Sequence, residues 1–454
     1  MTRKMTRNWT GRARVAYGVC VILVGPSAGK NEKELVGMSF SPPQFDHAFN
    51  ALRWAARYSW DESAAASFCE SVRQTTPDEL TRSAIHHGLA PLLAHHLHRH
   101  APEYVTPALQ QYAQRNAIRA RFLTQTLLEL LADFRAAGLP TVALKGPALA
   151  ELAYGALNLR DYCDLDVLVH PQQIDEAERL CQARGFVRKR DIKHMADDAM
   201  RPFAYDLPLM RLSDGVVLEL HWAMTFRYAG IRFDRWPWWE TLREGRLNGQ
   251  PIAALGAAET LLLICLHGSK DGWNQLKAVA DVTQLITVSP AFDWPRLWQL
   301  ARLLNADRLV RIALRLAHEL LAAPLPEALR LELLQDDSLE RPLQHAYELL
   351  RQEQSYDETV IARHAFLIQA QKHWWSKLRY CARYALSPGS TEWRRVALPA
   401  SLGLGYRILR LARLTKFYGR RWLGRGLGQV LGGHLVNGNA SESHALKSHA
   451  RKYE

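Results

Sequence analysis

The sequence predicts an α+β protein in which a short sheet lies between two helical regions. Residues 141–144 and 164–169 are apolar segments of strand length, and residues 203–222 have the pattern of a hairpin. On both sides of this part, apolar residues recur every three or four positions, which is typical of helices packed on a core. The predicted divisions are 1–43, an extension without a globular pattern; 44–138, helical; 139–250, the sheet-containing domain; 251–420, helical; and 421–454, a basic and partly disordered tail.

Length and charge limit the classes of protein to consider. The 454 residues suffice for two or three domains with sizeable cores. Residues 1–37 carry a net charge of +5 and residues 401–454 carry +8, which together account for the whole formal charge of +13. The part between them is neutral and gives little reason to expect nucleic-acid binding. The six cysteines are scattered, which favours buried thiols in a reducing, cytoplasmic compartment over a disulfide framework.

The first 37 residues contain two features that imitate known signals. The apolar run 15–24 follows a basic segment, but it is too short to span a bilayer, and no clear signal-peptide cleavage site follows it. Residues 25–30 resemble a P-loop that is one residue short, and Asn31 replaces the Ser or Thr that would contact Mg²⁺. We expect a non-native extension upstream of a start at Met38.

The next region, 44–138, is predicted to be mostly helical. Apolar residues recur at helical spacing through 51–58, 80–97 and 118–134. Gly88 and Pro91 are expected to divide the second of these helices. Six histidines also cluster here: His86, His87, His95, His96, His98 and His100. No cysteine or carboxylate lies at ligand spacing, so a helical surface is favoured over a metal site.

Two carboxylates at the start of an apolar strand are the strongest chemical signal in the chain. Asp164 and Asp166 precede Val167-Leu168-Val169, and they point to the same side of a strand because side chains alternate. Two carboxylates this close repel each other and raise one pKa unless a cation lies between them. Mg²⁺ suits such a site, because it takes hard oxygen ligands and leaves room for substrate phosphates.

The residues around this pair follow the pattern L-K-G-x-x-L…Y…R-x-x-x-D-x-D-h-L-V. The matching residues are Leu144, Lys145, Gly146, Leu149, Tyr154, Arg160, Asp164, Asp166, Leu168 and Val169. The pattern resembles the uncharacterised bacterial nucleotidyltransferase family of the DNA polymerase β-type superfamily, and weaker similarity extends over residues 45–420. The resemblance implies a short mixed sheet with helices, flanked by helical regions, and an enzyme that uses an NTP and two Mg²⁺ ions.

One departure from the wider superfamily concerns the turn after the first strand. The usual Gly-Ser or Gly-Gly is replaced by Lys145-Gly146-Pro147. Gly146 still permits close approach of a backbone to a ligand. Lys145 can supply a point charge for phosphate, although a solvated strand end is the alternative for this residue.

The segment after the carboxylates supplies a third acidic candidate. A helix is predicted from Pro171 to Ala183, followed by a hairpin that turns at 213–215. Because Pro208 cannot donate a hydrogen bond, the first arm of this hairpin is predicted to lie at an edge of the sheet. In the second arm, Glu219 and His221 share one face. The resemblance implies a metal-binding carboxylate here, which Glu219 matches, and a His-Trp ending, for which His221 is expected to orient or pack.

The C-terminal half is predicted to be helical and to contribute phosphate contacts. Residues 263–281 resemble a family pattern with His, Lys, Trp and Asp. The resemblance implies a phosphate-binding cation, for which Lys270 is the best candidate, alongside Arg160. Lys277 and Asp281 are four residues apart and are predicted to form an ion pair. The cluster Trp236-Pro237-Trp238-Trp239 is interpreted as a packing corner.

Near the C-terminus, a basic amphipathic helix leaves two interpretations open. Apolar residues recur at helical spacing: Leu404, Ile408, Leu411, Leu414 and Tyr418. With its arginines, residues 404–425 can lie on an anionic membrane surface at the inner face. The favoured alternative is that the helix docks on the protein with its arginines solvated.

The predicted function is Mg²⁺-dependent transfer of a nucleoside monophosphate from an NTP to an unknown acceptor. Asp164, Asp166 and Glu219 are the expected metal ligands and catalytic residues. Lys145, Gly146, Arg160 and Lys270 are the expected contacts to the nucleotide. A small molecule, sugar or peptide is favoured as acceptor. The alternatives are a non-catalytic nucleotide-binding module and a toxin-like enzyme acting on tRNA, which the neutral core disfavours. The sequence does not determine the oligomeric state.

Overall fold

The computed structural model describes residues 45–57, 62–189, 203–351, 356–389, 392, 398 and 404–416. The N-terminal extension, the P-loop-like segment and the tail from residue 417 lie outside the described residues. The chain is α+β, as predicted, with a small mixed sheet between two sets of helices.

The helices before the sheet begin and end at residues that the sequence marks clearly. They are α1 (His47–Ala55), α2 (Glu62–Arg73), α3 (Pro77–His86), α4 (Ala90–His100) and α5 (Pro107–Ala136). Thr76 and Glu79 form a capping box at the start of α3, and Thr106 caps α5. Gly88, at φ 66°, forms the turn between α3 and α4, which confirms the predicted break.

The sheet contains five strands in the order β1-β2-β5-β4-β3. The strands are β1 (Thr141–Ala143), β2 (Asp164–Val169), β3 (Phe186–Arg188), β4 (Asp206–Arg211) and β5 (Val217–His221). Helix α6 (Gly146–Tyr154) connects β1 to β2, and α7 (Ile174–Ala183) connects β2 to β3. Only the central pair, β2 and β5, is parallel, and the other pairs are antiparallel. A separate hairpin of β6 (Arg243–Leu247) and β7 (Gln250–Ala254) follows.

The prediction that Pro208 lies in an edge strand is wrong. Strand β4 is hydrogen-bonded to β5 on one side and to β3 on the other. The carbonyl of Pro208 accepts a hydrogen bond from the Lys189 amide, one residue beyond the end of β3. In an antiparallel strand, the N–H and C=O of one residue face the same neighbour, so the missing donor falls at the end of the three-residue strand β3. Proline therefore costs the ladder little at this position.

The helices after the sheet form the larger part of the main core. They are α8 (Ala257–Lys270), α9 (Leu276–Thr287), α10 (Trp294–Leu303), α11 (Asp307–Leu321), α12 (Glu327–Leu334), α13 (Glu340–Arg351), α14 (Tyr356–Gln369), α15 (Trp374–Leu386) and α16 (405–416). Among the described residues, no helix is long and apolar enough to cross a membrane.

Two apolar cores cover the two faces of the sheet. One face packs on α5 and α7 through Leu165, Val167, Leu218 and their neighbours. The other core joins the N-terminal helices to α8, α9 and α11, and it contacts the sheet through Val142 and Leu168. Apolar packing thus covers most of the first face, whereas polar residues of β2 and β5 remain on the second. The side chains that could bind a ligand or take part in a reaction therefore lie on this second face.

Several side chains differ from their predicted environment. His87 and His96 are buried, 4% and 7% exposed, so the histidine cluster is only partly a helical surface. None of the five described cysteines forms a disulfide, but Cys163 is exposed instead of buried. Trp236 and Trp238 are buried, which confirms the packing corner.

Helix α16 docks on the protein in an orientation that was not predicted. Tyr406, Arg410 and Leu414 face inward, whereas Leu404 and Ile408 are 70% and 69% exposed. The expectation of solvated arginines is wrong for the inward pair, because Arg410 and Arg413 both pair with the buried carboxylate of Glu392. The ion pairs with Glu392 therefore determine which side of α16 faces the protein, and the apolar residues at helical spacing do not. Membrane contact through this helix stays a prediction.

Candidate active site

The carboxylates meet because β2 and β5 are parallel neighbours. In the register of this pair, Asp166 lies opposite Glu219, and Asp164 lies opposite Val217. Because side chains alternate, Asp164, Asp166, Glu219 and His221 project from the same face of the sheet. This is the second face of the sheet, on which the polar residues of β2 and β5 remain.

Two cations contact the buried carboxylate of Asp166. Its Oδ1 atom lies 2.9 Å from Nε2 of His221 and 3.1 Å from Nζ of Lys145. The same His221 nitrogen lies 3.4 Å from Oε2 of Glu219, so the imidazole bridges the carboxylates of Asp166 and Glu219. The side chain of Lys145 is only 13% exposed, which contradicts the alternative that it is a solvated strand end.

These contacts set the protonation of the site. Burial disfavours the charged imidazolium, but hydrogen bonds to Asp166 and Glu219 outweigh it and raise the pKa of His221 to about 9. Burial likewise opposes ionisation of Asp166, yet Lys145 and His221 hold its pKa well below the usual range. The pKa of Asp164 is raised by burial and by the like charge of Asp166. At neutral pH, protonated His221 and Lys145 therefore balance Asp166 and Glu219.

The start of α6 lies against the same end of β2. Gly146 has a φ of 52°, and a β-carbon there would lie 3.4 Å from the carbonyl oxygen of Asp164. The positive φ favours glycine, and its small size lets the helix N-terminus approach the strand. Helix N-termini present unpaired amide groups and partial positive charge, which suits an anionic ligand.

Arg160 lies beneath the site and is not open to a ligand. Its Nε and Nη2 atoms donate to the two carboxylate oxygens of Asp281, each at 2.8 Å, and the guanidinium is 6% exposed. The hydroxyl of Tyr154 donates to the same carboxylate at 2.8 Å. The predicted Lys277–Asp281 pair is therefore replaced by an Arg160–Asp281 pair, and Lys277 instead donates to the carbonyl of Asp161.

The loop that leads into β2 is held by side chains from α5 as well. Asn116 donates to the carbonyls of Asn158 and Arg160. The carboxylate of Asp161 accepts hydrogen bonds from Tyr112 and Arg119, each at 2.7 Å. With the Arg160–Asp281 pair, these bonds fix the backbone immediately before Asp164. These bonds therefore hold the start of β2 in a fixed position.

Asp164, Asp166 and Glu219 form a row of carboxylates on this face of the sheet, called here the carboxylate row. Lys270, at the end of α8, lies near the end of this row that is remote from Asp164. Its Nζ atom lies 3.4 Å from the hydroxyl of Tyr205 and 4.9 Å from the centroid of that ring.

Asp206 also belongs to this face of the sheet, although the sequence did not indicate it. It lies opposite His221 in the β4–β5 register and projects from the same face. Burial, and then the like charges of Glu219 and Asp166, raise the pKa of Asp206 to about 6. Only the pairing of β4 with β5 could have revealed it.

His267 is a second residue whose place the sequence did not indicate. It lies on α8, and its Nδ1 atom is 3.6 Å from a carboxylate oxygen of Asp271. Burial and the nearby charges of Lys145 and Lys270 hold its pKa well below the usual value, so the imidazole is neutral. The sequence did contain it, as the histidine of the family-like pattern three residues before Lys270, but that pattern assigned it no place in the site.

The donor set fits a divalent cation. The ligand atoms of Asp166, Glu219 and His221 all lie within 4.8 Å of one another, and Asp164 is not part of this group. Within the described part of the chain, Nδ1 of His221 has no hydrogen-bond partner. Two carboxylates from adjacent strands supply hard oxygen ligands, and the two cations that now balance them could yield to a metal ion.

A mixed sheet with carboxylates on neighbouring strands, flanked by lysines and a helix N-terminus, is an arrangement that could hold a metal ion. Residues 73–322 match the model of a family described as "Uncharacterised nucleotidyltransferase", and the chain belongs to this family. The protein is therefore a nucleotidyltransferase, in the class of transferases. A comparison with curated proteins found no match.

Proposed function

We propose that the protein transfers a nucleoside monophosphate from an NTP to an acceptor hydroxyl or other nucleophile, in a Mg²⁺-dependent reaction. The observation that carries this proposal is the parallel register that sets Asp166 beside Glu219, with Lys145 and His221 compensating their charge. The strand order and the helix between β1 and β2 also support a DNA polymerase β-type core.

Asp166 and Glu219 would hold the metal, with Asp164 on the same face two residues before Asp166. Bound there, Mg²⁺ would supply Lewis-acid stabilisation of the phosphate oxygens. The arrangement of the carboxylates also explains why the site needs its own cations. Without Lys145 and His221, three buried or half-buried carboxylates would repel one another and take up protons.

The remaining residues divide between binding and positioning. The N-terminus of α6 and Lys145 would receive the triphosphate near Asp164, which the approach of Gly146 to the Asp164 carbonyl supports. Lys270 lies beyond His221, beside Tyr205. Arg160, predicted to contact phosphate, instead orients the loop before Asp164 through its buried pair with Asp281. We therefore propose a positioning role for Arg160.

The favoured acceptor is a small molecule, a sugar or a peptide. A polynucleotide acceptor needs many phosphate-neutralising cations, and residues 38–400 carry no net charge. The cations near the site are largely committed to carboxylates of the protein: Lys145 to Asp166 and Arg160 to Asp281. That commitment leaves little basic surface for a nucleic-acid backbone.

The position of the label tests the reaction class. The protein is incubated with Mg²⁺, a cell extract and each NTP labelled at either the α- or the γ-phosphate. Transfer of a nucleoside monophosphate predicts that only the α-label enters an extract component, and that Asp166→Asn abolishes the incorporation. Incorporation of the γ-label would indicate a kinase, and a lack of incorporation with all four nucleotides would contradict the proposal.

A further inference from the structure

Helix α16 presents an apolar stripe on its outward side. Leu404, at its start, and Ile408 are 70% and 69% exposed, and Leu411 is 40% exposed. The three residues are separated by four and three positions, so they share one face of the helix. The opposite face contacts the protein, where the guanidinium of Arg410 lies 4.5 Å from the centroid of the Tyr384 ring. Single exposed apolar residues are ordinary, but a continuous stripe of them is typical of a surface that binds a partner.

A second apolar feature lies on α15, the helix that Arg410 contacts. Trp374 and Trp375, at its start, are 61% and 56% exposed, and their rings stack with centroids 3.5 Å apart. Trp375, Arg379 and Leu386 are separated by four and seven positions and therefore lie on one exposed face of this helix. Tryptophan side chains are enriched where proteins meet the headgroup region of a membrane.

This part of the chain is strongly basic. Residues 371–441 include 13 Lys or Arg residues and a single acidic residue, Glu392. The Glu392 side chain is 1% exposed and pairs with Arg410 and Arg413, so it presents no negative charge at the surface. Among the described residues of this part, the exposed cations are Lys372, Arg379, Arg383, Arg407 and Lys416. The surface therefore combines apolar side chains with positive charge.

An anionic membrane fits this combination better than the other partners that could cover it. A second copy of the chain would bring the same positive charge to the interface. A nucleic acid would neutralise the cations and offer bases that stack on aromatic rings, but it has no aliphatic layer for the leucines and isoleucine. A membrane supplies both components, because its acidic headgroups attract Lys and Arg and its acyl boundary accepts Leu, Ile and Trp.

We propose that the outward faces of α15 and α16 together form a surface that binds peripherally to an anionic membrane. The two faces of α16 then have different roles. The inward face is fixed to the protein by the ion pairs with Glu392, and the outward face inserts its apolar side chains at the headgroup boundary. This inference goes beyond the proposed function and does not depend on it.

Co-sedimentation of the full chain with vesicles tests this inference. Vesicles of phosphatidylcholine alone are compared with vesicles that contain about one-third phosphatidylglycerol, at low and at physiological salt. The protein should bind the anionic vesicles about tenfold more tightly than the neutral ones, and salt should weaken this binding without abolishing it, because apolar contacts are not screened. Equal binding to the two kinds of vesicle, or no binding to either, would overturn the inference.

Two matched variants test the apolar stripe of α16. In the first, its three apolar residues are replaced by serine. The control has serine at three positions of similar exposure elsewhere in the chain: Ile118, Leu212 and Phe122, at 71%, 68% and 46%. The stripe variant should bind anionic vesicles about tenfold more weakly or worse, and the control should keep the affinity of the wild type. Equal affinities in the two variants would refute the role of the stripe.

Two further double variants test the charge and the aromatic pair. Arg407→Gln with Lys416→Gln should weaken binding mainly at low salt, whereas Trp374→Ala with Trp375→Ala should weaken it at both salt concentrations. Unchanged affinity in either variant would contradict the inference. Circular dichroism verifies the fold of each variant, and these two give the decision if the stripe variant does not fold.

Titration with bulk tRNA in place of vesicles tests the competing partner. The inference predicts that tRNA binds more weakly than anionic vesicles at physiological salt, because it offers nothing to the aliphatic side chains. Tighter binding of tRNA than of vesicles, with equal affinity in the wild type and the stripe variant, would show that the surface serves a nucleic acid and would overturn the inference.

Discussion

The buried imidazole of His221 should make the stability of the metal-free protein depend on pH. Its pKa is about 9 in the folded protein, against 6.5 for an ordinary histidine. A group whose pKa is raised on folding stabilises the protein fully below pH 6.5, and this contribution is lost as the pH rises through about 9. The difference corresponds to about 3 kcal/mol of unfolding free energy, since one pKa unit is worth about 1.4 kcal/mol.

The perturbation that isolates this contribution is His221→Gln, which removes the titrating charge and keeps a hydrogen-bond donor. Urea unfolding is measured from pH 6 to pH 10 in the presence of a chelator. The wild type should lose about 3 kcal/mol more than the variant over this range. His98→Gln, on the exposed face of α4, is the control and should follow the wild type.

An identical pH dependence in wild type and His221→Gln would refute the bridging imidazolium. The same outcome would remove the argument that the site balances its carboxylates with its own cations. Histidine NMR titration gives a second readout, because a ring that bridges Asp166 and Glu219 should keep its proton well above pH 7.

Three further substitutions test the roles assigned to the site. Asp164→Asn should abolish transfer and weaken Mg²⁺-nucleotide binding in calorimetry, with an unchanged circular dichroism spectrum. Glu219→Gln should abolish transfer yet largely spare nucleotide binding, and full activity in this variant would mean that another acid is the third ligand. Arg160→Met should destabilise the protein by about 3–5 kcal/mol in urea unfolding, because it leaves Asp281 buried without its counter-charge; a loss below about 1 kcal/mol would contradict the positioning role.

Local pattern was sufficient for most of the helices and for the strands that carry the carboxylates, but it did not predict β3 or the hairpin of β6 and β7. Helical periodicity and turn residues predicted the break at Gly88, and alternation predicted that Asp164 and Asp166 share a face. Both depend on residues close together in the chain, so a sequence contains the information directly. The resemblance added Glu219 as the third carboxylate expected to bind the metal.

What the sequence did not reveal depends on pairing between distant residues. Arg160 and Asp281 are separated by 121 positions, so a motif that places an arginine before two aspartates says nothing of its partner. Asp206 joins the site only because β4 lies beside β5, and Pro208 had suggested that β4 was an edge strand. Similarly, Lys277 had a nearer apparent partner in Asp281 than the Asp161 carbonyl that it contacts.

The most direct test of the central claim is to locate a metal ion and a nucleotide in crystals of the protein. Crystals are grown with Mn²⁺ and a non-hydrolysable NTP, and the anomalous signal of manganese is mapped. The account predicts a metal peak at about 2.1–2.2 Å from carboxylate oxygens of Asp166 and Glu219, close to the Mg²⁺ distance. It also predicts triphosphate density between this peak and the N-terminus of α6. A nucleotide bound elsewhere, or manganese absent from the carboxylate row at saturating concentration, would contradict it.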